Sequence, residues 1–336
     1  MNKAERIQKT KIHKLFRPFY GGIGHAIMFH RIQNEEGHLI TKGLQITQSF
    51  LEEIIQYFIS QNIDMVSLDE FYERLTSRKK TKRFVTFTFD DGYVDNLTHA
   101  LPVFEKYNAP FSVFVTTGYS DKKVTLWWYL VEQYILKNDT IEFDYDDKKY
   151  LFHTSSEEEK RIAFSKIKVL LLESKSENEY RNRVNAIFEN TDIDLYGLND
   201  ELIMSWDQVK ELSEHPLATI GAHTVNHLAL RQLDEKEVVE EIKGSIKRLE
   251  EVIGDSVSYF AYPYGTKNEA GEKDFVIAEQ CGLKMAFTTE KDNIFKKQVN
   301  ELHSIPRLGI NSTMTTAHID MFVNGMTPFI SKFVEV

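Results

Sequence analysis

The chain has 336 residues, 42% of them apolar and 12% aromatic, with seven prolines, 16 glycines and a formal net charge of −10. That composition builds a large hydrophobic core under a wet surface and excludes a fibrous or disordered chain. The single Cys281 excludes a disulfide framework and a multi-cysteine zinc ribbon, the acidic balance argues against a nucleic-acid partner, and no apolar run reaches 18 residues, so nothing spans a membrane.

Residues 1–20 carry six cations (Lys3, Arg6, Lys9, Lys11, Lys14, Arg17) against one acid, Glu5, with Ile7, Ile12, Leu15, Phe16 and Phe19 between them. Segment 1–24 reads either as a solvated stretch docking its apolar residues on the body, or as a weak anchor on anionic lipid. It lacks the apolar stretch of a signal peptide, so the expected location is the cytoplasm, with peripheral contact at the inner membrane surface on the second reading.

Strand-like and helix-like segments then alternate, the pattern of an α/β fold. Ala26–Phe29 is a short apolar run ending at His30-Arg31. Residues 46–63 have helical apolar spacing, and Met65–Ser67 is a short strand. Ser67 or Asp69 can cap a helix over Glu70–Leu75. The basic run 78–83 reads as a wet loop before a strand, with phosphate binding as its sharper alternative. Phe84–Phe89, β-branched and aromatic throughout, predicts a buried strand that stops at Asp90-Asp91-Gly92. Further strands are expected at Phe111–Thr117, Ala218–Ala222, Val257–Tyr262 and Met285–Thr288. The clearest helix is Asp234–Ile253, opened by Asp234 and Glu237 as a capping pair and stopped by Gly254. Residues 121–205, led by Trp127-Trp128, are polar and helical in spacing, and predict an insertion beside the main body. Residues 25–320 read as one domain and 321–336 as a tail.

Three motifs carry chemistry. In Thr88-Phe89-Asp90-Asp91-Gly92-Tyr93, two carboxylates sit at a strand end where Gly92 permits a sharp turn. Bare carboxylates at one site repel unless a cation or proton intervenes, although the same residues suit an ordinary surface turn. His223 and His227, four apart, have metal-ligand spacing and also suit two unrelated polar histidines. One carboxylate and two imidazoles fit zinc and similar divalent ions, and three ligands leave a position for water. In Phe260-Ala261-Tyr262-Pro263-Tyr264-Gly265, Tyr262, Pro263 and Tyr264 follow a strand and can shape a pocket wall.

In this order, the motifs resemble the polysaccharide deacetylase (NodB-homology) family, carbohydrate esterase family 4. Thr88–Gly92 matches its Thr-Phe-Asp-Asp-Gly motif and His223–His227 its His-Ser/Thr-x-x-His motif. Residues 261–265 match its Arg-x-Pro-Tyr-Gly motif except at the first position. The resemblance covers roughly residues 25–120 and 205–310. It implies a distorted (β/α) barrel, with seven strands expected and the helical insertion outside it, and a site at the strands' C-terminal ends. It further implies a hydrolase of a linear amide bond that removes an N-acetyl group from an amino sugar. Asp91, His223 and His227 would hold the metal, zinc by default and cobalt, nickel or iron by ligand type. Asp90 would be the base, the Tyr93 N–H the oxyanion donor, and Tyr262, Tyr264 and Trp128 pocket walls.

Departures from the pattern matter. The third-motif arginine is Ala261 here, and Arg307 on a later strand is the expected replacement beside Asp90. The family's Leu-x-His general acid is missing. His303 ranks first as its substitute, ahead of His318, with His30 as an outside candidate and a pocket residue in its own right. His25, His38, His99, His153 and His215 read as ordinary polar histidines. The substrate is expected to be an N-acetylated glycan, or a lipid- or nucleotide-linked sugar precursor. The alternatives are a deformylase or small-molecule amidase on the same metal core, and an inactive glycan-binding module. A Mg²⁺-dependent glycosyltransferase is disfavoured by the histidine pair.

Overall fold

Eight runs of chain form one parallel sheet in the computed structural model, which describes residues 3–33 and 41–331. In chain order the strands are β1 (Gly24–Phe29), β2 (Asp64–Met65), β3 (Phe84–Phe89), β4 (Phe111–Val115), β5 (Ala218–Ala222), β6 (Tyr259–Ala261), β7 (Met285–Phe287) and β8 (Leu308–Gly309). They lie side by side as β7-β6-β5-β4-β3-β1-β8, with β2 pairing the start of β3. The segment before β8 closes the order. Ile305 donates to the Ala286 carbonyl and accepts from Thr288 N–H, while Leu308-Gly309 pair with Ile27-Met28. The result is the expected distorted barrel of seven strands, with β2 as an outlying edge.

Every residue of β1, β3 and β4 is buried, because helices cover the outside and side chains fill the inside. Alternation along β3 separates the two. Phe84 packs inward with Ala26, Phe114, Met285 and Phe287. Val85, Phe87 and Phe89 pack outward against helices that include Gln48–Ser60. Thr86, Thr88 and Asp90 continue the inward parity.

Ser67 caps the helix Leu68–Thr76 by accepting from Glu70 N–H, leaving Asp69 to bind Tyr259 and Lys284. The helix Glu235–Ile253 opens on Asp234, which accepts from Glu237 N–H, and ends at Gly254 with φ 74°.

Two expectations are corrected. The insertion is not purely helical. Between its helices Trp127–Lys137 and Glu157–Leu172 lies a hairpin, Thr140–Tyr145 with Lys148–His153. Ile141 and Phe143 alternate inward, and Asp146 and Asp147, at φ 54° and 56°, form a turn whose hand suits a two-residue hairpin. At the C-terminus, the boundary at 320 falls inside the helix Thr316–Val323, and a further helix, Met326–Ser331, follows it. His38 and residues 332–336 lie outside the described residues. No described helix is long and apolar enough to cross a membrane.

Candidate active site

The C-terminal ends of β1, β3, β5 and β6 converge on a cavity of about 350 Å³. Asp90, Asp91, His30, His223, His227 and Tyr264 line it. Strand parity carries Asp90 into the barrel mouth. Parity alone would send Asp91 outward. Its backbone instead adopts φ 76°, followed by Gly92 at φ 83°, and this left-handed pair turns both carboxylates to the same site. Asp enters that region more readily than most residues, yet at a cost of about 1–2 kcal/mol. Thr224, His227 and Tyr264 also have positive φ, at 66°, 54° and 60°. Such strain clusters where a site over-determines its backbone.

His223 and His227 converge through a loop rather than along a helix face. Thr224 closes it, its hydroxyl accepting from His227 N–H at 2.9 Å. The helix Glu235–Ile253 supplies a second clamp. Glu241 accepts from Val225 N–H (3.0 Å), Asn226 N–H (2.8 Å) and the Asn226 side-chain amide (2.6 Å). Burial pushes the Glu241 carboxyl up to about 7, against the pull of those donors. The sequence reading missed Glu241, although a signal exists: an acid stands on the stripe Val238, Ile242, Ser245, Leu249 that faces the core. Glu241→Ala strands two backbone N–H groups and an amide. It should lower unfolding free energy by roughly 2–4 kcal/mol, measured by urea denaturation, with Glu241→Gln recovering part of the loss.

The donor set is arranged for a cation. His223 Nδ1 lies 2.7 Å from the Ala261 carbonyl, which fixes its proton there and leaves Nε2 a lone pair. His223 Nε2 and His227 Nε2 stand 3.5 and 3.1 Å from Asp91 Oδ1, a buried atom with no hydrogen-bond partner among the described residues. One ligand atom from each of the three residues falls within 4.8 Å of the others. Burial lowers the His227 pKa more than Asp91 raises it, which favours neutral imidazole. Three facing lone-pair groups with no proton of their own between them suit a divalent ion.

Arg307 comes to the free carboxylate from the chain segment that closes the barrel. Its Nη1 and Nη2 donate to the two Asp90 oxygens, each at 2.7 Å, and its Nε donates to the Thr288 carbonyl at 3.0 Å. The guanidinium is fully buried, over the rings of Phe114 and Phe287. Burial favours the neutral acid, but the Arg307 guanidinium keeps the Asp90 carboxyl below its ordinary value.

Not every candidate reaches the cavity. His303 sits at the barrel's other end, with Nε2 2.8 Å from the Leu283 carbonyl just ahead of β7. His318 caps its own helix through Thr315 N–H. Tyr262 turns away, its hydroxyl donating to the His303 carbonyl and its ring packing on Phe260 and Phe275. Pro263 shapes the turn without lining the cavity. Tyr264 does line it, its hydroxyl 3.2 Å from His227 Nδ1 and accepting from Trp127 Nε1 at 3.0 Å. The Tyr93 side chain goes into the core between Arg31 and Tyr129, so only its main chain stays by the site. His30 is held at the rim from behind. Asn96 donates to its carbonyl, and Arg31 pairs with Asp95 at 2.8 Å. The insertion supplies a wall that the motifs do not: Trp127, Trp128, Phe164 and Lys168, with Trp127 stacked on Phe164.

A family model described as polysaccharide deacetylase matches residues 77–286. The curated protein YxkH of Bacillus subtilis (strain 168), provisionally named a polysaccharide deacetylase, is 26% identical over 120 residues. That stretch is 36% of this chain and 41% of YxkH, so the match spans about two-fifths of the relative. Among solved structures, the fold is similar to the deacetylase PplD of Streptococcus pyogenes, solved with acetate. The TM-score is 0.58 at 18% identity, over 89% of this chain and 97% of that one. It is also similar to IcaB from Ammonifex degensii, with a TM-score of 0.57 at 17% identity, over 90% and 98% of the two chains.

Proposed function

The chain belongs to the polysaccharide deacetylase family, and on that premise we propose that it is a metal-dependent hydrolase removing an N-acetyl group from an amino sugar in a glycan or glycan precursor. The observation that carries this reading is the division of labour between adjacent carboxylates. Asp91 faces two imidazole lone pairs, while Asp90 is ionised, oriented by Arg307 and free of them.

Asp91, His223 and His227 would hold the ion, zinc by donor type. Bound there, it supplies Lewis-acid polarisation of the amide carbonyl and acidifies water. The chain's own groups do the rest. A carboxylate offers about four lone-pair sites, and Arg307 takes one on each oxygen of Asp90. The remaining sites can take the proton of the attacking water. The Tyr93 N–H, at the turn after Gly92, is the donor assigned to the tetrahedral oxyanion. The departing amine needs a proton, and His30 is the histidine in the cavity not assigned to the ion. Trp127, Trp128, Phe164 and Tyr264 offer ring faces for a sugar and for the acetyl methyl, and exclude water around the reacting carbon.

The test is free-amine release from N-acetylated oligosaccharides, nucleotide-linked sugars and lipid-linked sugars. It is run after chelation, after restoring zinc, and with Asp90→Asn. Release that stops on chelation, returns with zinc and is lost in Asp90→Asn is expected. Release indifferent to chelation would overturn the metal assignment. Amine and formate release from the N-formylated counterparts, with none from the N-acetylated sugars, would move the reading to a deformylase on the same core.

A further inference from the structure

The end of the barrel opposite the cavity carries a surface that the proposed chemistry does not use. The chain from Ile12 to Tyr20 forms two short helical turns leading into the N-terminal end of β1. Their faces divide cleanly. Phe16 and Tyr20 turn inward, their ring centroids 4.9 and 5.1 Å from that of Phe329. Ile12, Leu15 and Phe19 turn outward and are 50%, 72% and 76% exposed. Leu15 and Phe19 are the two most exposed large apolar side chains among the described residues. A monomeric soluble surface seldom gathers such side chains without a use.

What surrounds them identifies the partner. Lys11, Lys14 and Arg17 alternate with the three apolar residues, and all three cations are exposed. None makes an ion pair with a described acid. The loop 77–83, the second basic run, reaches the same end of the barrel. Arg83 donates to the Gly21 carbonyl and to the Val323 carbonyl, tying that loop to the N-terminal segment and the C-terminal helices. Arg78, Lys79 and Lys80 on this loop are exposed as well. The chain as a whole has a net charge of −10, so this end is a local inversion of sign. Exposed Leu and Phe ringed by cations suit the interface of an anionic bilayer, where the apolar groups enter the acyl boundary and the cations meet headgroup phosphates. A nucleic acid would use the cations and leave Leu15 and Phe19 in water.

We propose that this face docks the protein on an anionic lipid surface, with Ile12, Leu15 and Phe19 inserted and Lys11, Lys14 and Arg17 at the headgroups. The six residues of β1 at ~3.3 Å each separate this face from the cavity by roughly 20 Å. Docking therefore leaves the cavity mouth open on the side away from the bilayer.

Co-sedimentation of the full chain with vesicles tests it, comparing phosphatidylcholine mixed with phosphatidylglycerol against phosphatidylcholine alone. Binding is expected only to the mixed vesicles and should weaken with salt. Leu15→Ser/Phe19→Ser, both at exposed positions, should weaken partitioning roughly tenfold or more and leave the circular dichroism spectrum and thermal midpoint unchanged. Lys11→Glu/Lys14→Glu should do the same. No binding to the mixed vesicles would overturn the proposal. So would binding that survives Leu15→Ser/Phe19→Ser and falls only on charge reversal, which would assign the face to a soluble polyanion.

Discussion

Arg307→Ala should cost about 3–5 kcal/mol of folding stability, because it leaves the buried Asp90 carboxylate without its cation. The loss should be visible in urea denaturation at neutral pH. It should shrink at low pH: the Asp90 carboxyl titrates below its ordinary value in the fold, so the pair's contribution is present above the unfolded value and is lost as pH falls through the folded one. Asp90→Asn is not a silent control, since it leaves Arg307 buried opposite a neutral amide. The double variant Asp90→Asn/Arg307→Met should therefore be more stable than the sum of the single losses predicts, by roughly 2 kcal/mol or more. Activity should follow a different rule. Both singles and the double should fall at least about 100-fold in kcat, because the base is either absent or free to rotate. Arg307→Lys keeps the charge and loses the fork, and should fall between wild type and Arg307→Ala. Near-wild-type kcat in Arg307→Ala would show that Asp90 needs no such partner.

Local chemistry was legible in the sequence, and long-range placement only partly so. Phe84–Phe89 and Ala218–Ala222 match their expected limits because each is a continuous apolar run cut by a polar motif. The paired aspartates and paired histidines were legible for the same reason, as short segments at strand ends. Arg307 reaches Asp90 across 217 residues of chain, and barrel closure is what delivers it. Its candidacy rested on the missing arginine at Ala261. Tyr262 and Tyr264, which share strand parity, flank Pro263 in one loop after the strand, and that loop reads as a pocket wall. The left-handed backbone at Tyr264 breaks that parity and separates them. His303 was favoured for its nearness to a Leu in sequence. Its turn precedes the closing strand, which puts it at the barrel's wrong end, whereas His30 follows β1 and therefore stands at the mouth. The insertion hairpin was hidden by its polar outward face, which dilutes the alternation of Ile141 and Phe143.

His30→Gln provides the sharpest test of the acid assignment, because its effect should depend on the leaving group. An amine departs poorly unless protonated as the carbon–nitrogen bond breaks. If His30 delivers that proton, His30→Gln should lower kcat on an N-acetylated sugar by about 10²–10⁴-fold. On an aryl acetate whose phenolate leaves unaided, the same variant should lose less than about tenfold, since only the water-activating half of the chemistry is then required. Asp90→Asn should fail on both substrates. The contrast also excludes a trivial cause. His30 is anchored through its carbonyl by Asn96, and a collapse of the rim would lower both activities together. Equal losses on amide and aryl ester would give His30 a positioning role at the cavity wall. An unchanged rate on the amide would leave proton delivery to solvent. With His303 and His318 committed to carbonyl and capping contacts outside the cavity, neither competes for the role, and His303→Gln should leave both rates near wild type.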